Sequence, residues 1–118
     1  MSKDDYIKRE IKRLKKIFEN LTQDAAQVAE KLIENAAFMA VSLSDLQRII
    51  NEKGYTEEYQ NGENQFGTKK SSEVDIYNTM IKNFNTTMKQ LIDILPDSAS
   101  GGNSRNAALD YINGRGAP

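Results

Sequence analysis

Apolar residues recur along the first third of the chain with alternating gaps of four and three: Ile7, Ile11, Leu14, Phe18, Leu21, Ala25, Val28 and Leu32. That spacing lays one stripe along a helix, close to a heptad seam. It predicts a first helix over about 4–20, with Asp4 and Asp5 at the positive end of its dipole. Asn20-Leu21-Thr22 predicts a break, with Thr22 capping a second helix and Asp24 in its first turn. The unbroken seam also admits a single long helix. The second helix, about 23–41, is rich in alanine, the best helix former. Ser42-Leu-Ser-Asp45 then has the spacing of a capping box. It predicts a third helix over about 43–53 with Leu43, Leu46, Ile49 and Ile50 on one face, stopped by Gly54.

The pattern changes at residue 55. YTEEYQNGENQFGTKK is polar and lacks helical periodicity. Asn61-Gly62 suits a two-residue type I′ hairpin turn, since both positions need positive φ. A short β-hairpin over 57–66 would pair Gln60 with Glu63 and Tyr59 with Asn64. Tyr59 and Phe66 would then share a face able to dock onto the helices. Ser71-Ser72-Glu73 opens another helix, about 72–94, with Ser72 and Asp75 at capping-box spacing. Its stripe is Ile76, Tyr77, Met80, Ile81, Phe84, Met88, Leu91, Ile92 and Leu95, and Pro96 ends it. The remainder, 97–118, is Gly/Ser/Asn-rich and predicts a flexible tail, with Ala107 to Ile112 as a short docking segment. The fold class is therefore all-α: three to four helices in all, divided into a basic first helix over 1–21, a helical oligomerisation core over 22–96, and the tail over 97–118.

Composition mainly excludes chemistry. The 118 residues include no Cys and no His. Thiolate metal sites, thiol nucleophiles, Ser–His–Asp triads and histidine ligands are thereby closed, which points to a binding or assembly protein and not an enzyme. No cofactor is expected. No apolar run approaches a membrane span, and the charged N-terminus has no apolar signal region, so a cytoplasmic protein without membrane attachment is expected.

Charge is unevenly placed. The chain sums to −1, yet residues 1–20 hold seven basic and four acidic residues, leaving +3 there and −4 elsewhere. On a helical wheel Lys8, Lys12, Lys15 and Lys16 span about 100°, and Arg9 and Arg13 widen the arc to about 160°. These six residues are the candidate DNA-binding set, because such a face offers cations to a phosphate backbone regardless of sequence. A solvated face, an acidic protein partner or an anionic membrane would account for the same run. Gly62-Glu-Asn-Gln-Phe-Gly67-Thr68-Lys69 only approximates a P-loop. Thr and Lys are swapped, no buried strand precedes it, and a nucleotide site is rejected. The two helices joined at Ser42 have the outline of a helix-turn-helix, with Gln47, Arg48 and Asn51 able to bond base edges. Their apolar faces fit packing better. Glu57 and Glu58 sit in a polar stretch and read as solvated. The Ala-rich and final helices present more apolar edge than one small bundle covers, which favours a homo-oligomer.

Two blocks then resemble the small subunit of phage terminases, in the family of phages and prophages of Gram-positive bacteria. One is Leu32-Ile-Glu-Asn-Ala-Ala-Phe-Met-Ala-Val-Ser-Leu-Ser-Asp-Leu46, continuing to Ile50 and Gly54. The other runs from Glu58-Tyr-Gln-Asn-Gly-Glu-Asn-Gln-Phe-Gly-Thr-Lys69 through Tyr77-Asn-Thr-Met-Ile-Lys-Asn-Phe84 to Lys89-Gln-Leu91 and Leu95-Pro96. The resemblance covers about 25–96 and omits the basic helix and the tail. It implies a non-catalytic DNA-packaging protein in the bacterial host cytoplasm. Such subunits form helical rings, hold viral double-stranded DNA and present it to the terminase large subunit, which contains the ATPase and nuclease. The alternative is a helical homo-oligomeric scaffold or regulatory protein that binds proteins and not DNA.

Overall fold

The structure is a computed structural model that describes residues 1–96 and 99–114, with nothing drawn from the side chains of residues 99–102. Its order is α1 (Lys3–Ile17), α2 (Gln23–Lys53), β1 (Thr56–Gln60), β2 (Phe66–Lys70), α3 (Ser72–Asp93) and α4 (Ala99–Ile112). The protein is predominantly α-helical, with one two-stranded antiparallel hairpin among the described residues.

Helix α1 starts one residue earlier than its charges suggest. Ser2 caps it through a complete capping box with Asp5: the Ser2 hydroxyl accepts from Asp5 N–H, and the Asp5 carboxylate accepts from Ser2 N–H. The break after α1 is where the sequence places it, and Thr22 Oγ1 accepts from Ala25 N–H at 3.2 Å. The break resets the phase of the seam. Val28, on the expected stripe, is 59% exposed, while Ala29, Ile33, Ala36 and Ala37 are buried instead. A seam written across a helix break holds its period only while the backbone stays helical.

The expected break at Ser42 is absent, because α2 runs unbroken through it. Ser42 is buried in mid-helix, with no partner for its Oγ. Buried Ala36 and Ala37 before it and Leu43, Leu46 and Ile50 after it continue one helical face, which outweighs the local preference of Ser for a cap. With no turn at 42 there is no helix-turn-helix. Gly54, at φ +86°, ends α2 as expected.

The hairpin forms, but in another register and over longer strands than 57–66. Gln60 pairs with Phe66, Tyr59 with Gly67 and Glu57 with Lys69. Asn61–Gln65 make a five-residue loop, closed by Asn61 N–H donating to the Gln65 carbonyl at 2.7 Å, with Gly62 at φ +98°. Relative to the two-residue turn the partners slide by three positions, an odd number, so the faces exchange. Tyr59 and Phe66 therefore lie on opposite faces. Tyr59 covers Gly67 so closely that a Cβ there would sit 2.8 Å from its Cζ. Glu57 is tied to Lys69 at 3.4 Å and accepts from Ser72 Oγ, so it is not simply solvated. The observed register gains both contacts.

The hairpin does not fold back onto the helices. The molecule measures 64 × 28 × 24 Å. A helix as long as α2 accounts for about 46 Å of the long axis, and a five-residue strand for about 17 Å more. The hairpin thus extends α2 as an arm. Its base is fastened by Ser71 N–H donating to the Tyr55 carbonyl and by the Lys53–Glu73 ion pair, both at 2.8 Å. Ser71, and not Ser72, caps α3.

The core lies mainly between α2 and α3 and extends to α1 and α4. Leu14 and Phe18 of α1 meet Ala29, Ile33, Ala36 and Ala37 of α2 and Met88, Leu91, Ile92 and Leu95 of the α3 region. Within the segment expected to be a flexible tail, residues 99–112 form α4, longer than the expected docking segment at 107–112. Ala108 and Tyr111 enter the core, and buried Ser104 accepts from Asn20 Nδ2. Asn113 and Gly114 follow in a turn, and residues 97–98 and 115–118 of that tail lie outside the described residues. No helix among the described residues is long and apolar enough to cross a membrane.

Candidate nucleic-acid interface

The six basic residues of α1 are brought to one helix but divide into two environments. Lys8, Lys12, Lys15 and Lys16 are exposed, and none makes an ion pair among the described residues. From Lys8 to Lys16 the ridge rises about 12 Å. Over that length a DNA duplex presents about seven phosphate charges, counting both strands. Exposed Glu19, in the turn just past the end of α1, bounds the ridge. Arg9 is also exposed, with its guanidinium 6.0 Å from the Tyr6 ring centroid and Nη2 3.6 Å from Met1 Sδ.

Arg13 turns away from the ridge. It pairs with Glu10 at 3.7 Å and lies over the Tyr111 ring, 4.9 Å from its centroid. Glu10 and Arg13 side chains are only 19% and 22% exposed. The Tyr111 hydroxyl donates to Glu10 Oε2 at 2.7 Å. Burial pushes the Tyr111 phenol well above its ordinary range, and the Glu10 carboxylate adds to the shift; Arg13 opposes it. Arg13 is thus a fastening for α4, leaving the four lysines and Arg9 as the cations that face outward.

The side of α1 away from the ridge borders a groove of about 700 Å³. Tyr6, Tyr77, Phe84 and Tyr111 supply aromatic surface, and Arg13, Asp45, Gln47 and Arg48 supply polar groups. Gln47 Nε2 donates to Tyr77 Oη at 3.1 Å, and Phe84 and Tyr111 meet at a ring-centroid distance of 6.3 Å. Gln47 and Arg48, candidate base readers in the sequence, therefore line an intramolecular groove on a continuous helix. Sequence reasoning missed this groove. Its one signal is that Tyr6, Glu10 and Arg13 stand at i, i+4 and i+7, a second stripe on α1 beside the apolar one.

Compared with protein-family models, curated proteins and solved structures, the chain matches none.

Proposed function

We propose that this chain is the small subunit of a phage terminase: a non-catalytic, ring-forming protein of the bacterial host cytoplasm. In this reading it holds viral double-stranded DNA and presents it to the terminase large subunit. The observation that supports DNA binding most directly is the exposed ridge of Lys8, Lys12, Lys15 and Lys16, none of which forms an ion pair among the described residues. The assignment to packaging draws on the sequence likeness over about 25–96. A ring repeats the ridge around its circumference, so a weak site on each subunit becomes a multivalent surface for one duplex.

The test is duplex binding at several salt concentrations together with the solution mass by light scattering. Each phosphate neutralised contributes about 0.9 to the fall of log affinity with log salt. Replacing Lys12, Lys15 and Lys16 together with Glu should abolish DNA retention while leaving helicity and mass unchanged. Undiminished retention would place the contact elsewhere and overturn this assignment.

A scaffold or regulatory protein that binds proteins and not DNA is the second reading. Val28, Phe38 and Ile76, all 49–59% exposed, favour it because they are large apolar side chains left on the helical surface. It predicts a multimer that retains no DNA even at low salt.

A further inference from the structure

The hairpin arm presents a large apolar side chain that its own fold does not use. Phe66 is 72% exposed. Its strand is held in register by the Tyr59–Gly67 contact on one face and the Glu57–Lys69 ion pair, which leaves Phe66 standing on the other. The helical body, conversely, has an aromatic groove of about 700 Å³ with no side chain filling it. We infer that Phe66 is the knob by which one copy of this chain docks into the Tyr6–Tyr77–Phe84–Tyr111 groove of a second copy. The inference rests on the homo-oligomeric part of the proposed function and names the surfaces that make it.

Reach excludes the chain's own arm as the occupant. Ser44 lines the groove, and the remaining turns of α2 plus one strand length put the hairpin tip about 30 Å beyond it. No chain can place Phe66 in its own groove without unfolding the arm. Charge also complements the fit. Phe66 shares its face with Glu58, and Glu63 lies in the adjacent loop; neither forms an ion pair among the described residues. Around the groove stand Arg13, Arg48 and, beside Tyr6, Arg9. Arg48 is held only by Glu52 at 3.7 Å, with both side chains more than 60% exposed, so that pair exchanges readily for a carboxylate from the arm. Two acids line the groove as well: Glu10, already engaged by Arg13 and Tyr111, and Asp45, so the three arginines leave an excess of positive charge at its rim. A knob on one surface and a hole on a different one make a head-to-tail contact, the kind that closes rings.

The test uses the absence of cysteine. Thr68, exposed on the Phe66 face, is changed to Cys in one preparation, and Ser44 to Cys in another. The two are mixed and treated with a short bis-maleimide, and each alone serves as the control. In parallel, Phe66→Ala is compared with the parent by light scattering over a dilution series and by circular dichroism. Docking predicts a cross-linked dimer in the mixture only. It also predicts that Phe66→Ala keeps its helicity but needs about tenfold or more protein to assemble. A parent that assembles, a Phe66→Ala variant that assembles equally well and no mixed cross-link would overturn the docking while leaving the ring reading intact. A parent monomeric at every concentration would overturn both. If Phe66→Ala lost DNA affinity at unchanged mass, the arm would be a DNA contact and the docking would be wrong.

Discussion

Ser42→Ala is the most decisive single substitution for the fold, because two accounts of residue 42 predict opposite signs. Where Ser42 caps a separate helix, losing its hydroxyl costs about 0.5–2 kcal/mol. In the continuous α2 the side chain is only 5% exposed and Oγ has no partner. Replacing Ser by Ala within a helix gains up to about 0.5 kcal/mol in propensity. Removing an unsatisfied buried hydroxyl gains on the order of 1 kcal/mol more. The space left is less than a methyl group, so the lost packing is small. The net expectation is a stabilisation of about 1 kcal/mol, or a rise in Tm of about 4 °C for a domain of this size. Ser42→Gly sharpens the contrast: a cap tolerates Gly better than Ala, whereas a helix interior disfavours it by about 1 kcal/mol. Urea and thermal unfolding followed by circular dichroism would measure all three proteins. Protein concentration must be matched, since self-association makes Tm depend on it. A Ser42→Ala protein less stable than the parent, with Ser42→Gly above it, would refute the continuous-helix argument.

Three further outcomes follow from the ion pairs and the buried phenol. Tyr111 has a folded pKa raised above its ordinary 10.0, so its contribution is complete below about pH 10 and is lost as pH rises beyond it. Phenolate absorbance should show one of the five tyrosines titrating late, and Tyr111→Phe should remove that lag and cost about 1 kcal/mol. Simultaneous ionisation of all five would contradict the assignment. The hydrogen bond from Lys53 holds the Glu73 carboxyl below its usual 4.5, so the stability it adds is present above that pH and lost on acidification below it. Urea titrations in acid should show that slope reduced in Glu73→Gln, and an unchanged slope would count against the pair. Lys12→Glu should weaken DNA retention and change stability by no more than about 0.5 kcal/mol. Arg13→Glu, which sets a like charge against Glu10, should destabilise by about 1–3 kcal/mol, and equal stability of the two variants would defeat the division of α1 into two faces.

The legible parts of the fold were those fixed by local chemistry. Thr22, Gly54 and Pro96 act on neighbouring backbone groups, so the ends they mark in the sequence are ends in the structure. Ser42-Leu-Ser-Asp45 shows the limit of such signals. The capping spacing is present, but the apolar residues on both sides belong to one packed face, and burial of that face overrides the cap. The hairpin register failed for a similar reason. Asn61-Gly62 argues for a two-residue turn, whereas the Glu57–Lys69 pair and the seat of Tyr59 on Gly67 act several residues away and select the longer loop. The groove was least visible, because its walls come from four helices and nothing local to Tyr77 or Tyr111 announces that they meet.

Helix α1 shows why a basic stretch has to be sorted by what each cation touches before it is assigned to a partner. Lys12 and Arg13 are adjacent in sequence and about 100° apart around the helix. That rotation is enough to place one in water and the other between Glu10 and the ring of Tyr111. The choice of residue type fits the division. Arginine has the flat guanidinium that stacks on an aromatic face and pairs with a carboxylate, whereas lysine keeps a strongly hydrated point charge on a flexible stem. A docked α4 needs the first, and a phosphate backbone approached from solvent is served by the second. The exposed lysines remain without intramolecular partners among the described residues, so their attraction for phosphate is not spent within the fold. A net charge of −1 is then no obstacle to the proposed DNA contact. At physiological salt, charges further than about 8 Å from the ridge are largely screened, and a phosphate at the ridge responds chiefly to the lysines beside it.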